Sequence, residues 1–179
     1  MKRILVLATI GLFCTNINAR GFTDSIPADS KDVSSPEAIV AAVYDVISGP
    51  AGQKRNWDRM RTLFVTDARM IPTGKRPTGE STRRVLTVEE YITNSGPYLE
   101  KDGFFETEIG KKTEQFGNIV HVFSTYESKR TMKDEKPFMR GINSFQLWYD
   151  GKRWWVITIL WQSESQDTPI PGKYIGTKN

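Results

Sequence analysis

Ile119-Val120-His121-Val122-Phe123-Ser124-Thr125-Tyr126-Glu127, then Arg140-Gly141-Ile142-Asn143-Ser144-Phe145-Gln146-Leu147, then Asp150-Gly151-Lys152-Arg153-Trp154-Trp155-Val156, carry the strongest strand signals in the chain. β-Branched and aromatic residues dominate them, and turn residues bound them. Asp150-Gly151 predicts a hairpin between strands over 140–149 and 154–163. Phe116-Gly117-Asn118 predicts the preceding turn, between strands over 104–111 and 119–130. Residues 131–137 read as a polar loop.

Working upstream, the period changes from two to that of a helix. Ser35 can cap, Pro36 suits the first helical position, and Glu37 favours the positive end of the dipole. Ile39, Val40, Val43, Val46 and Ile47 then recur on one face until Gly49-Pro50. Asn56-Trp57-Asp58 opens a short second helix, with Trp57, Met60 and Phe64 on one side. Residues 68–72 read as a short strand. Residues 72–84 read as a loop with Lys75, Arg76, Arg83 and Arg84, whose bland reading is solvated charge. Thr87-Val88-Glu89-Glu90 starts a third helix, which Pro97 is expected to bend or restart.

Three helices followed by a run of antiparallel strands give an α+β fold. The strands are apolar and aromatic on both parities, so both sheet faces need cover. The helices can cover one. A second copy of the sheet is the simplest cover for the other, which predicts a homodimer.

With this order of elements, the quoted stretches resemble the nuclear transport factor 2-like superfamily, which includes SnoaL-like cyclases, ketosteroid isomerases and scytalone dehydratases. The likeness spans residues 36–165. It implies a curved antiparallel sheet forming a cone-shaped, cystatin-like α+β barrel, a pocket between sheet and helices, and frequent homodimers. The fold hosts isomerases, dehydratases, cyclases and pure binding modules. No catalytic set of those enzymes aligns with this chain, so none is carried over.

Hairpin parity sorts the candidate ligand residues. Arg140, Ile142, Ser144, Gln146 and Trp148 share one face with Trp155, Ile157, Ile159 and Trp161 unless a bulge intervenes. Asn143, Phe145 and Leu147 share the other with Trp154, Val156, Thr158 and Leu160. The first face mixes aromatics with polar groups, as a pocket does. Arg140, Ser144, Gln146, Trp155 and Trp161 are therefore the expected ligand contacts. Arg140 holds either a ligand anion or an internal carboxylate, Glu127 or Glu164. His121 is the only imidazole. It is either a general base or a structural group bonded inside the sheet. Tyr126 is either an oxyanion donor or a packing residue.

Composition narrows the rest. The 179 residues suit one domain, and 38% hydrophobic with 26% charged excludes a mainly disordered chain. One His and one Cys leave no clustered zinc site and no disulfide framework. No phosphate-cradling glycine loop and no G-x-S-x-G elbow occurs. No cofactor or metal is expected.

Lys2-Arg3, an apolar run over 4–13 and Ile17-Asn18-Ala19 read as a secretory signal over 1–19. The run of about ten residues is too short to cross about 30 Å of hydrocarbon as a helix. Cys14 is the alternative, acylated start. Cleavage removes Lys2 and Arg3 from 25 basic residues, leaving 23 against 21 acidic ones. That balance argues against a nucleic-acid partner. A periplasmic or secreted domain follows, with no membrane association after processing. Residues 20–35 read as a flexible lead-in and 166–179 as a polar tail. The expected function is binding of a small, partly apolar molecule without assigned catalysis. The alternatives are a cofactor-independent isomerase, dehydratase or cyclase acting on a small carbonyl compound through His121 and Tyr126, or a dimeric interaction module.

Overall fold

The computed structural model describes residues 27–176. The signal segment and Cys14 lie outside the described residues. Helices α1 (Ser30–Val33), α2 (Pro36–Ile47) and α3 (Trp57–Leu63) lead into strands β1 (Phe64–Lys75) and β2 (Ser81–Arg83). Helix α4 (Val88–Asp102) precedes the long strands β3 (Phe105–Phe116), β4 (Ile119–Lys129), β5 (Met139–Tyr149) and β6 (Trp154–Ser163). The chain folds as α+β, with helices on one face of a six-stranded sheet of order β2-β1-β6-β5-β4-β3. The sheet is curved and unclosed, and one of its pairings, β1 with β6, is parallel.

Local chemistry explains the helix ends. Ser35 Oγ accepts from the Ala38 amide, and Pro36 sits at the first position of α2. Thr87 and Glu90 form a reciprocal capping box on α4. That helix runs through Pro97 instead of restarting there. It stops at Gly103, whose φ of 72° is left-handed and whose Cα faces the Arg130 carbonyl.

Two sequence expectations need correction. Ser30–Val33, inside the expected flexible lead-in, form a helical turn capped by Asp29. Buried Asp32 holds it through a two-toothed pair with Arg59 on α3. Strand β1 runs to Lys75, and β2 pairs back onto it, so half of the expected 72–84 loop is a hairpin. The tail over 165–176 is docked. Ile170 N–H donates to Glu164, Tyr174 packs edge-on against Phe123, and Gly176 N–H donates to the Ile109 carbonyl.

The core lies between α2–α4 and the sheet. Ile39, Val43, Met60, Leu63, Phe145, Val156 and Ile159 are buried there. Each such side chain contributes about 1.5–3 kcal/mol relative to exposure. Arg55 pins the loop after α2, donating to the carbonyls of Ile47, Gly49, Gln53 and Leu99. That clamp ties the end of α2 to the end of α4.

Candidate functional site

A one-residue bulge decides which side chains face the helices. Leu147 pairs with Val156, but Gln146 pairs with Thr158, leaving Ile157 as the extra residue. Parity beyond it inverts. Asn143 and Phe145 now sit opposite Trp161 and Ile159 on the helix side, while Ser144 and Ile142 sit opposite Leu160 and Gln162 on the far side. The face expected to line the pocket is therefore the far face along most of its length.

The five expected ligand residues divide accordingly. Trp161 joins the helix-side cavity, edge-on to Tyr91 at 6.2 Å. Arg140 lies on the far side and is paired with Glu164 at 2.8 Å, the internal partner that sequence reading left open. Ser144 Oγ meets His121 Nε2 at 2.9 Å, also on the far side. Gln146 is exposed beside Thr158. Trp155 donates to Asp150 at 2.7 Å and carries the Arg153 guanidinium 3.6 Å above its ring. His121 therefore stands away from the cavity, bonded within the sheet. Tyr126 lines the cavity. Its hydroxyl lies 3.3 Å from Ser163 Oγ, and burial pushes it up to about 12. Its ring occupies the space above Gly141, where a Cβ would lie 2.4 Å from the hydroxyl.

The helix-side cavity measures about 200 Å³. Its walls are apolar, from Val43, Met70, Leu99, Phe145, Ile159 and Trp161 among others. Its polar groups are few, and Glu106 on β3 is the charged one. Ser128 Oγ donates to one Glu106 oxygen at 2.9 Å, and Asn143 Nδ2 to the other at 3.2 Å. Burial nonetheless dominates and pushes this carboxyl up to about 7, against an ordinary 4.5. The two hydrogen bonds only soften the shift. A carboxyl at that value holds and releases a proton near neutral pH.

Tyr91 and Ser95, one turn apart on α4, also line the cavity. Neither hydroxyl has a hydrogen-bond partner among the described residues. Burial, with the Glu106 charge nearby, holds the Tyr91 hydroxyl well above its ordinary range, so it is a donor. The cavity thus offers a proton-exchanging carboxyl on the sheet and uncommitted hydroxyls on a helix. Among the described residues no group of three His, Cys, Asp or Glu could hold a metal, and no helix is long and apolar enough to cross a membrane.

Sequence reading passed over Glu106 because Phe105-Glu106-Thr107-Glu108 alternates like a solvated strand. A signal existed in its neighbours. Ser124, Ser128 and Asn143 occupy inward positions of otherwise apolar strands. Buried small polar groups in that number need a shared polar partner.

No protein-family model and no curated protein matches the chain. Solved structures do. A protein of unknown function with a cystatin-like fold from Nostoc punctiforme superposes with a TM-score of 0.56 at 10% identity, covering 79% of this chain and 97% of its own. An NTF-2 like protein of unknown function from Silicibacter pomeroyi gives 0.51 at 11%, covering 73% and 94%. A protein assigned as a Ca/calmodulin-dependent kinase II association domain from Exiguobacterium sibiricum gives 0.50 at 13%, covering 72% and 90%. The fold is thus the cystatin-like, NTF2-like one that the strand pattern resembles.

Proposed function

We propose that the chain is an exported small-molecule-binding domain whose helix-side cavity takes a compact, largely apolar carbonyl compound. Glu106 exchanges a proton with the carbon beside that carbonyl. One observation carries this reading: a single carboxyl, raised to about 7, in an otherwise apolar cavity with unpartnered hydroxyls beside it. The Glu106 carboxylate takes the proton from the α-carbon, and the electron pair moves onto the carbonyl oxygen. Tyr91 or Ser95 donates a hydrogen bond to that oxygen. Return of the proton to another carbon gives an isomer, and return to the same carbon gives exchange. Neither step needs a redox partner or a metal.

Residues 1–19 are removed on export, and the chain self-associates through the far sheet face. In the test, the exported protein, with an intact mass starting at Arg20, is incubated with small cyclic ketones in D₂O. Deuterium incorporation is followed by NMR and binding by thermal shift. Glu106→Gln should retain binding and lose exchange by about 100-fold or more. Tyr91→Phe should lose part of both. Equal exchange in parent and Glu106→Gln would remove the catalytic role, and no shift with any ketone would remove the substrate class.

A further inference from the structure

Glu108 lies two residues from Glu106 on β3 and faces the same side of the sheet, yet it does not line the cavity. A chain of hydrogen bonds joins the two. Ser124 Oγ donates to Glu108 Oε2 at 2.6 Å and lies 2.7 Å from the Tyr44 hydroxyl. Asn143 Nδ2 lies 3.1 Å from that hydroxyl and 3.2 Å from Glu106 Oε1. Ser124, Tyr44 and Asn143 are all buried, so bulk water does not compete.

Counting protons orients the chain. A hydroxyl owns one proton. Ser124 spends its proton on the Glu108 carboxylate, so Tyr44 must donate to Ser124. The Tyr44 oxygen then accepts from Asn143. The Asn143 NH₂ group is thereby held between Tyr44 and Glu106, donating to both.

We propose that Glu108 is a positioning residue for Glu106. As the terminal acceptor it fixes the proton order of Ser124 and Tyr44, and so holds the Asn143 amide with its NH₂ rather than its carbonyl toward Glu106. The inference rests on Glu106 being the proton-exchanging group of the cavity. With the amide held so, a protonated Glu106 finds no acceptor at Asn143. Were the order reversed, Ser124 would donate to Tyr44 and Tyr44 to the Asn143 carbonyl. The turned amide would then accept a proton from Glu106 as well. Glu108 blocks that arrangement and thereby favours the carboxylate, the form that acts as a base.

The other ionisable groups facing Glu106 are Tyr44 on α2, Tyr91 on α4 and Tyr126 on β4. On β3, Glu108 carries its own cation, Lys111, at 3.6 Å. None of the tyrosines changes charge near neutral pH, so the sign of the response to a change at Glu108 separates two causes. Glu108→Gln removes a nearby negative charge, which alone would lower the Glu106 pKa. It also lets the end of the chain donate, which relieves the penalty on protonated Glu106 and raises the pKa.

The experiment follows the Glu106 carboxyl by ¹³C NMR between pH 4 and 9 in glutamate-labelled protein, assigned with Glu106→Gln. In Glu108→Gln the midpoint should rise by about half a pH unit or more. Ser124→Ala leaves the Glu108 charge in place but cuts the chain, and should raise it similarly. The double variant should add little further. A fall or no change in Glu108→Gln would overturn the proposal, as would an unmoved midpoint in Ser124→Ala. The titration needs neither ligand nor turnover. Its failure is therefore separate from failure of the ketone assay.

Discussion

Arg140 and Glu106 illustrate opposite fates of charge on one sheet. Arg140 stands on the far face, more than a third exposed, with both a pairing distance of 2.8 Å and solvent to satisfy it. Glu164, its partner, also accepts from the Ile170 amide, which with Arg140 holds that carboxyl below the usual range. The pair anchors the C-terminal segment and lies outside the helix-side cavity. Arg140→Gln should therefore cost at most about 1 kcal/mol in denaturant unfolding, since exposed pairs are screened. It should leave ketone binding unchanged. A loss of binding with intact stability would instead place the ligand on the far face. Among the described residues Glu106 has no cation partner. Its charge is supported only by two neutral donors, and burial wins. At the residue scale the sequence made Arg140 visible and Glu106 invisible for the same reason: a lone cation among aromatics stands out, whereas an acid in an alternating strand looks solvated.

Elements were more legible than faces. The capped starts of α2 and α4, the Asp150-Gly151 hairpin and the turn at Gly117 are written in local chemistry, which the chain states residue by residue. The side to which β6 points is different. It depends on one surplus residue, Ile157, which no turn residue or charge announces. Before the bulge, Trp148 pairs with Trp155, so the two share a face as expected. Beyond it, Trp161 passes to the helix side. The far face is split as well. Its Arg140 end is covered by residues 168–171, leaving a cleft of about 280 Å³ beneath them, lined in part by Ile142, Ser144 and Leu160. Its hairpin end is bare. Phe116, Ile119, Trp148 and Trp155 form a cross-strand row over four strands, with Phe116 85%, Ile119 59% and Trp148 40% exposed. Such an apolar row is unusual on a monomer. Light scattering at micromolar concentration should give a dimer mass, and Trp148→Glu should give the monomer. A parent protein that is monomeric throughout that range would defeat association through this face.

At the scale of the whole molecule, the fold sets the electrostatics. An unclosed sheet curved over helices encloses an apolar space, and the inward parity of β3 puts one acid into it. Global stability must report that acid. A carboxyl whose pKa rises from 4.5 unfolded to about 7 folded contributes stability that is fully present below pH 4.5 and lost as pH climbs to about 7. The loss amounts to about 3 kcal/mol. Carboxylates held low by partners, such as Glu89 beside Arg61, act in the opposite sense at lower pH. They are shared by any variant that leaves them intact, and so cancel in a difference. The most direct measurement is therefore denaturant unfolding of the parent and of Glu106→Gln, whose amide mimics the neutral acid, at intervals from pH 4 to 8. The two stabilities should start close together below pH 4.5. They should diverge by about 3 kcal/mol, with the parent the weaker, and run parallel above pH 7. Curves that stay parallel across the whole range would mean that Glu106 ionises as it would in water, and the proton-exchanging cavity would be contradicted.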